Sequence, residues 1–491
     1  MSPAVRSPDV AATRMLADQA FSRTAGAPLV QGNAVRILRD ATENYPAWLE
    51  AIAGARETIH FESYIIHDDD VGRRFAAALI ARARDGVRVR VVYDWLGAWA
   101  TPRRFWRGLR EGGIEVRCFN SPRLDDPLGM LARDHRKCVV VDGRVAYVMG
   151  LCVGKSWEGW PEKNLAGWRD TGVEIRGPAV ADVARAFADT WAACGGKLPE
   201  ADAASPEPLE KAGEVPLRVV ATTSGTSGLY RLDALVAALA RKTLWLTDAY
   251  YAGTPNYVQA LRAAARDGVD VRLLVPGRGS DLALMQAVSR AGYRPLLDGG
   301  VRVFEWNGPM LHAKTAVADA RWARVGSTNL NPASWVGNWE LDIVVEDAGF
   351  GRAMEDMYLG DLANATEIVL EQRRRVRSAT GSAGQRRRGA GGGGTRAAAG
   401  ALRIGNAIGE ALATRRLHGP AERRLMIAGA LILAASGAAA FVWPKSVAWP
   451  FGLFCAWMGL ALVARVLRER RVRAAAAAVP AIRSREERTR S

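Results

Sequence analysis

Histidine, lysine and cysteine are all scarce in this 491-residue chain, which holds 5 His, 8 Lys and 5 Cys. The cysteines, Cys118, Cys138, Cys152, Cys194 and Cys455, are odd in number and form no C-x-x-C pair. That argues against a disulfide framework or a cysteine zinc site and fits reduced thiols in a cytosolic setting. Residues 1–25 contain no continuous apolar stretch, so no secretory signal is expected there. Acidic residues are outnumbered too: 51 Asp and Glu face 67 Lys and Arg, a net charge of +16. Such a chain is drawn to polyanions, either nucleic acid or an anionic lipid surface. Much of the excess sits in arginine runs towards the C-terminus and says little about the rest.

Against that scarcity, the pattern H-x-K-x4-D occurs twice. The first copy is His135, Lys137 and Asp142 in RDHRKCVVVDG; the second is His312, Lys314 and Asp319 in MLHAKTAVADA. By composition, a given His carries such partners with odds of about one in a thousand, and two of five doing so by accident is roughly one in a hundred thousand. Residues i and i+2 of a strand share a face, so each spacing is expected to set an imidazole beside an ammonium. That pairing suits an anionic, phosphate-like substrate. Two such units predict one site built from two halves.

The chain around the motifs repeats itself. AALIARARDGVRVRVVYD ends at Asp94, and QALRAAARDGVDVRLLVPG ends at Gly277. In each, an Ala-rich helix stops at Asp-Gly and a Val/Leu run follows, the pattern of a buried strand. TIHFESYII precedes the first helix and TLWLTDAYY the second; GGIEVRCF and GGVRVFEW follow. Alternating helices and strands call for a mixed or parallel sheet covered on both faces, here duplicated with pseudo-twofold symmetry. The expected division is a tail at 1–25, half 1 at 26–196, a polar linker at 197–215, half 2 at 216–370 and an Arg/Gly-rich segment at 371–424 with an amphipathic stretch near 401–417. A helical hairpin at 425–466 and a basic tail at 467–491 complete it.

The hairpin prediction rests on length. Residues 425–443 and 446–464 are two charge-free runs of 19 residues, separated by Pro444 and Lys445. Each is long enough to cross roughly 30 Å of bilayer hydrocarbon. Arginines flank both outer ends, which places those ends in the cytoplasm.

These motifs make the chain similar to the phospholipase D superfamily, whose signature is H-x-K-x4-D twice, and within it to the bacterial cardiolipin synthases. The likeness runs from about Gly26 to Leu370 through GVRVRVVYDWLG, WRDTGVEIRGPAVADVARAFADTW, LLDGGVRVFEW and VGSTNLNPASWVGNWELD. It implies an α/β fold: a duplicated phospholipase D-type domain with a mixed sheet flanked by helices in each half, pseudo-twofold, joined to the transmembrane hairpin. It also implies a catalytic set of His135, Lys137, Asp142, His312, Lys314 and Asp319. Ser327 and Asn329 are expected around the phosphate and Glu340 on the ring of His312. Gly150 and Cys152 stand where the first copy would carry Ser and Asn, and Asp170 is the expected partner of His135. Asp142 and Asp319 read as structural anchors. Asp142-Gly143 suggests a hairpin turn, whereas Asp319-Ala320 predicts a different turn geometry.

The resemblance implies covalent chemistry: one His attacks phosphorus to give a phosphohistidine, and the other protonates the leaving alcohol and then deprotonates the incoming one. Family analogy assigns His135 as nucleophile and His312 as acid/base; the residues alone leave that open. No metal or other cofactor is required. The expected partners are an anionic phospholipid membrane and phosphatidylglycerol, without nucleic acid, at the cytoplasmic face of a bacterial inner membrane. The alternatives are hydrolysis to phosphatidic acid, a nuclease of the same superfamily and a non-catalytic scaffold. Trp95, Trp99, Trp106, Trp157, Trp160, Trp335 and Trp339 are candidates for an interfacial lip, with core packing expected for at least half of them.

Overall fold

A computed structural model describes residues 19–122, 132–202 and 209–370, the backbone of Val376–Ser378 and isolated positions between 431 and 460. The strands in chain order are β1 (Val30–Arg39), β2 (Thr58–Ser63), β3 (Arg88–Asp94), β4 (Glu115–Phe119), β5 (Cys138–Val141), β6 (Val145–Met149), β7 (Gly159–Trp160), β8 (Leu165–Ala166) and β9 (Thr171–Arg176). They continue with β10 (Val215–Thr222), β11 (Thr243–Thr247), β12 (Asp270–Pro276), β13 (Arg302–Trp306), β14 (Thr315–Ala318), β15 (Trp322–Gly326), β16 (Glu340–Val345), β17 (Ala365–Leu370) and β18 (Val376–Ser378). Apart from the β7–β8 ribbon, hydrogen bonding runs through all of them in the order β18-β17-β13-β12-β11-β14-β15-β16-β10-β1-β9-β6-β5-β2-β3-β4.

That order is a palindrome of two seven-strand units. β1-β9-β6-β5-β2-β3-β4 maps onto β10-β16-β15-β14-β11-β12-β13. The helices match as well: Asp40–Gly54, Asp70–Arg84, Arg103–Glu111 and Val180–Ala193 in the first half, and Gly228–Leu239, Pro255–Arg266, Ala283–Leu297 and Ala348–Leu362 in the second. Each half is mixed. β2, β3 and β4 are parallel, while β5 pairs antiparallel with both β2 and β6. Both Asp-Gly stops work as the sequence suggests, with Gly86 and Gly268 at φ +89° and +93°, a conformation that glycine adopts without strain.

The halves join through a short antiparallel contact, Val30 opposite Leu217 and Asn33 opposite Val215. Asn33 fixes the irregularity there: its Nδ2 donates to the Val30 and Val215 carbonyls, and its Oδ1 accepts from Ala179 N–H. β15 also lies against β9 and β6, although four and five steps of the sheet separate them. The two half-sheets therefore face each other. Val148, Val173 and Ile175 from one side and Val325, Leu341 and Ile343 from the other form a common core, closed by Phe187 and Met354. Each half keeps a further core under its outer helices. Val-rich strands buried on both faces suit this arrangement, because no polar face is needed.

Residues 19–25, placed in the tail by the sequence, are helical. Ala25 is buried with Val220 and Leu244, and Ser22 Oγ accepts from Arg218. The expected linker is pinned at its start, where buried Asp202 pairs with Arg88 and Arg90. Residues 120–132 and 423–491 group as a separate unit, in whose described part Asn120 donates to the Ala132 carbonyl at 2.8 Å. The 371–424 segment, the 425–466 hairpin and the basic tail fall outside the described residues, apart from the few positions already given. Among the described residues no helix is long and apolar enough to cross a membrane.

Both motif aspartates serve the fold. Asp142 accepts from the N–H groups of Arg56, Glu57 and Thr58 at 2.7–2.9 Å, and Asp319 accepts from Arg241, Lys242 and Thr243 at 2.7–2.9 Å. The expected difference between their turns is absent. Asp142-Gly143 has φ of +51° and +61°, and Asp319-Ala320 has +51° and +49°. Ala320 is held in the left-handed region because its neighbour's carboxylate locks the turn. Gly351 also presses on it so closely that a Cβ there would lie 2.3 Å from the Ala320 carbonyl carbon.

Replacing Ala320 with Gly removes a left-handed penalty and is expected to stabilise the protein by about 1 kcal/mol. Asp319→Ala, which strands three N–H groups, is expected to destabilise it by about 2 kcal/mol. Thermal unfolding midpoints of the two variants should move in opposite directions. His60 supplies a pH-dependent counterpart. It is buried and stacked at 4.5 Å on Phe187, and burial, then Arg90, pushes its pKa down to about 4. The unfolded chain takes up a proton near pH 6.5 that the native state resists, so stability falls as pH drops from 6.5 towards 4. His60→Phe should therefore gain about 2 kcal/mol on wild type between pH 7 and pH 5, measured by urea unfolding.

Candidate active site

His135 and His312 stand just before β5 and β14, three residues short of Cys138 and Thr315, where the strands begin. Both sit in extended segments, not within regular strand as the spacing suggests, and each is pinned by the opposite half. His135 N–H donates to the Trp339 carbonyl at 2.8 Å, and His312 N–H donates to the Arg169 carbonyl at 2.7 Å. Trp339 and Arg169 each precede a carboxylate, Glu340 and Asp170. The lysines fold back on their histidines. Lys137 Nζ donates to the His135 carbonyl at 2.5 Å, and Lys314 donates to the His312 carbonyl, with its Nζ 3.0 Å from His312 Nδ1.

The carboxylates cross over. Glu340 Oε2 is 2.8 Å from His135 Nδ1, and Asp170 Oδ2 is 2.7 Å from His312 Nδ1. The sequence paired them the other way, Asp170 with His135 and Glu340 with His312. The pairing is reversed because each carboxylate opens a strand, β16 or β9, whose entry is bridged to the motif segment of the other half. Those bridges are Asp134 to Trp339 and Arg169 to Leu311. Each half thus supplies the imidazole for one pair and the carboxylate for the other. A carboxylate on Nδ1 fixes the tautomer and directs the chemistry to Nε2.

Both carboxylates are wholly buried. Burial pushes Asp170 up, but His312 and Lys314 bring it below its ordinary value, helped by N–H donors from Trp157 at 3.1 Å and Thr171 at 2.8 Å. Burial leaves Glu340 above its ordinary value despite Lys137, Ser327 and Asn338. His312 is walled by the rings of Trp157 and Trp168, each 5.5 Å away, and Tyr250 at 5.9 Å. In that apolar box, burial and then Lys314 push its pKa down to about 4, so the resting ring is neutral at neutral pH. Burial likewise takes Lys314 down to about 8. Tyr64 stands 5.0 Å from His135, with Lys137 Nζ 5.2 Å over its ring. Lys137 influences both His312 and Lys314, so the two motifs share one electrostatic site.

The halves differ at the positions after β6 and β15. Ser327 Oγ donates to Glu340 at 2.6 Å and accepts from Leu341 N–H, so its proton is committed to a carboxylate and does not point at a ligand. At the equivalent Gly150 a Cβ would lie 2.2 Å from Asp170 Oδ1; the shorter carboxylate fills the space that Ser occupies in the other half. Gly150 N–H is spent on the Thr171 carbonyl, so it does not offer a ligand a backbone donor. Asn329 is buried, and its Oδ1 has no hydrogen-bond partner among the described residues. Cys152 occupies the matching place in half 1, its thiol raised by burial and drawn back by Lys137 and Lys314.

Sequence reasoning missed the supports. Arg169 grips Asp361 with two 2.8 Å bonds and also reaches Asp40, which holds its carbonyl where His312 N–H arrives. No pattern in the chain marks a residue 192 positions away as its partner. Of the seven tryptophans proposed for a lip, only Trp99 is exposed. Trp106, Trp157 and Trp335 are buried, and Trp95, Trp160 and Trp339 are half-buried. Among the described residues, no three or more His, Cys, Asp or Glu come together as a metal site.

A family model described as the PLD-like domain of cardiolipin synthase matches residues 48–191 and 236–359. Cardiolipin synthase A of Pseudomonas aeruginosa strain LESB58 is 35% identical over 369 residues, covering 73% of each chain. The same protein from Pseudomonas fluorescens is 34% identical over 356 residues, covering 71% of this chain and 73% of its own. Among solved structures, phosphatidylserine synthase of Haemophilus influenzae superposes with a TM-score of 0.57 at 14% identity, over 71% of this chain and 91% of its own, which speaks for the fold. With two crossed imidazole–carboxylate pairs at the seam of a duplicated fold, the chain belongs to the cardiolipin synthase family of phospholipase D-like enzymes.

Proposed function

We propose that this protein is a phosphatidyltransferase that joins two phosphatidylglycerol molecules into cardiolipin and releases glycerol. What supports the reading is the crossed pairing of His135 and His312, each backed by a buried carboxylate from the opposite half and each beside a lysine. His135 Nε2 attacks the phosphorus of one phosphatidylglycerol. The bond from phosphorus to the glycerol oxygen breaks, and His312 gives that oxygen its proton. A hydroxyl of a second phosphatidylglycerol then loses its proton to His312 and attacks phosphorus; the P–N bond breaks and His135 is restored. Lys137 and Lys314 balance charge on the phosphoryl oxygens, and Asn329 can add a neutral donor there only through its Nδ2 amide, since its Oδ1 is an acceptor.

His312 is neutral at rest, yet the first step needs a proton on it. The diester anion supplies the difference: a negative charge beside a desolvated imidazole favours the imidazolium. The chain works at a bacterial inner membrane in this reading. The 425–466 hairpin anchors it, and the site lies on the cytoplasmic side, where the flanking arginines sit.

Vesicles of phosphatidylglycerol carrying the purified protein should yield cardiolipin and glycerol in equal amounts by mass spectrometry. Phosphatidic acid alone would make the enzyme a hydrolase. His135→Ala and His312→Ala should each abolish turnover, with a phosphohistidine trapped in the second variant only; a trapped adduct in the first would reverse the roles.

Asp170→Asn and Glu340→Gln should each slow turnover by about 100-fold while leaving KM within a few-fold, because each misorients one ring without touching the phosphate. Steady-state kinetics checks this, and an unchanged kcat in either variant would remove that carboxylate from the mechanism.

A further inference from the structure

Among the described residues of 19–370 seven large hydrophobic side chains are exposed, and four of them, Trp99, Leu165, Leu284 and Val336, lie on connections that leave or enter matching strands of the two halves. Trp99 lies on the connection leaving β3, and Leu284 on the one leaving β12, its pseudo-twofold counterpart. Leu165 lies between β6 and β9, and Val336 between their counterparts β15 and β16. The four are two symmetry-related pairs.

Strand direction places them. Within half 1, β2, β3 and β6 run one way and β5 and β9 the other. The exits of β3 and β6 therefore share an edge with the entries of β5 and β9, where His135 and Asp170 stand. Half 2 repeats this, and the crossed carboxylates bring the two edges together. Short connections tie each tip to the site. Trp99 follows Asp94, which accepts from Asp134 N–H beside His135. Leu165 precedes Trp168, whose ring is 5.5 Å from His312. Val336 precedes Asn338, which donates to Glu340. Leu284 follows Asp281, which accepts from Tyr250 Oη.

Basic residues accompany the apolar tips. Arg103 and Arg107 are exposed beyond Trp99, Lys163 beside Leu165 and Arg278 before Leu284; exposed Glu162 and half-buried Asp281 are acidic neighbours among them. Apolar tips framed by cations match a surface with anionic headgroups over hydrocarbon. We propose that these four side chains seat the catalytic unit on an anionic phospholipid bilayer, so that headgroups enter the site without leaving the membrane. This rests on the phosphatidyltransferase reading and names the face of the protein that meets its substrate.

The test compares the full chain with a Trp99→Ser/Leu165→Ser/Leu284→Ser/Val336→Ser variant on two substrates. One is phosphatidylglycerol in vesicles; the other is dihexanoyl phosphatidylglycerol below its micelle concentration. Bilayer turnover should fall by at least about ten-fold and short-chain turnover stay within about two-fold, since only the first needs interfacial seating. Equal bilayer turnover, or an equal fall on both substrates, would overturn the proposal. So would a change in oligomeric mass by light scattering, which would make this face a contact between copies. If wild type turns over neither lipid, the functional reading fails and the surface is judged separately. Vesicles of brominated phosphatidylglycerol should then quench wild-type fluorescence more than that of Trp99→Phe, and equal quenching would sink it.

Discussion

The crossed imidazole–carboxylate pairs are the constraint on which the structure depends. Asp170 and Glu340 are wholly buried, and a buried carboxylate without a partner costs several kcal/mol. Each takes hydrogen bonds from its own half but finds its imidazole in the other. A single half would carry an imidazole without its carboxylate and a carboxylate without its imidazole. The rest of the architecture serves this requirement. The β1–β10 contact joins the halves, the shared core turns their sheets face to face, and the Arg169–Asp361 clamp fixes the carbonyl that receives His312 N–H. In the proposed reaction two lysines and two carboxylates balance, and the charge that arrives with a phosphodiester shifts His312 towards its protonated form.

Symmetry holds for the backbone and lapses in the chemistry. Asp142 and Asp319 organise the same nest of three N–H groups with the same left-handed turn. The carboxylates do not match in length, and their neighbours compensate: Asp with Gly150, Glu with Ser327. The change is local because a methylene added on one side of a close-packed contact must be removed on the other. The walls differ as well. His312 sits among Trp157, Trp168 and Tyr250, which exclude water and hold the ring neutral, while Tyr64 is the ring beside His135.

The sequence makes plain whatever is local or repeated. The duplicated helix-stop-strand segments announce both halves, and the H-x-K spacing announces the paired imidazoles and ammoniums. Asp142 could be read as an anchor because Asp-Gly between two valine runs has one common structural meaning. Crossing could not be read. Glu340 lies 205 positions from His135, and either half is an equally good donor until the entries of β9 and β16 are placed. Ala320 deceived for a related reason: its strain is imposed by Gly351 and by the carboxylate before it, neither of which is a propensity of alanine. Tryptophan deceived because one side chain serves cores and interfaces alike. Neighbours in three dimensions separate exposed Trp99 from buried Trp106.

Cys152 shows how a departure from symmetry can leave the field of the site intact. It is the counterpart of Asn329 and feels both Lys137 and Lys314, so an ionised thiol there would cancel charge that a phosphate needs. Burial keeps the thiol above its ordinary pKa, so the residue contributes volume and no charge. In the proposed reaction, half 1 then offers the phosphoryl group only Lys137 and the attacking ring, while half 2 offers Lys314 and a neutral amide. A group held by donors on one side presents its phosphorus to the other, which is the geometry an in-line attack by His135 requires.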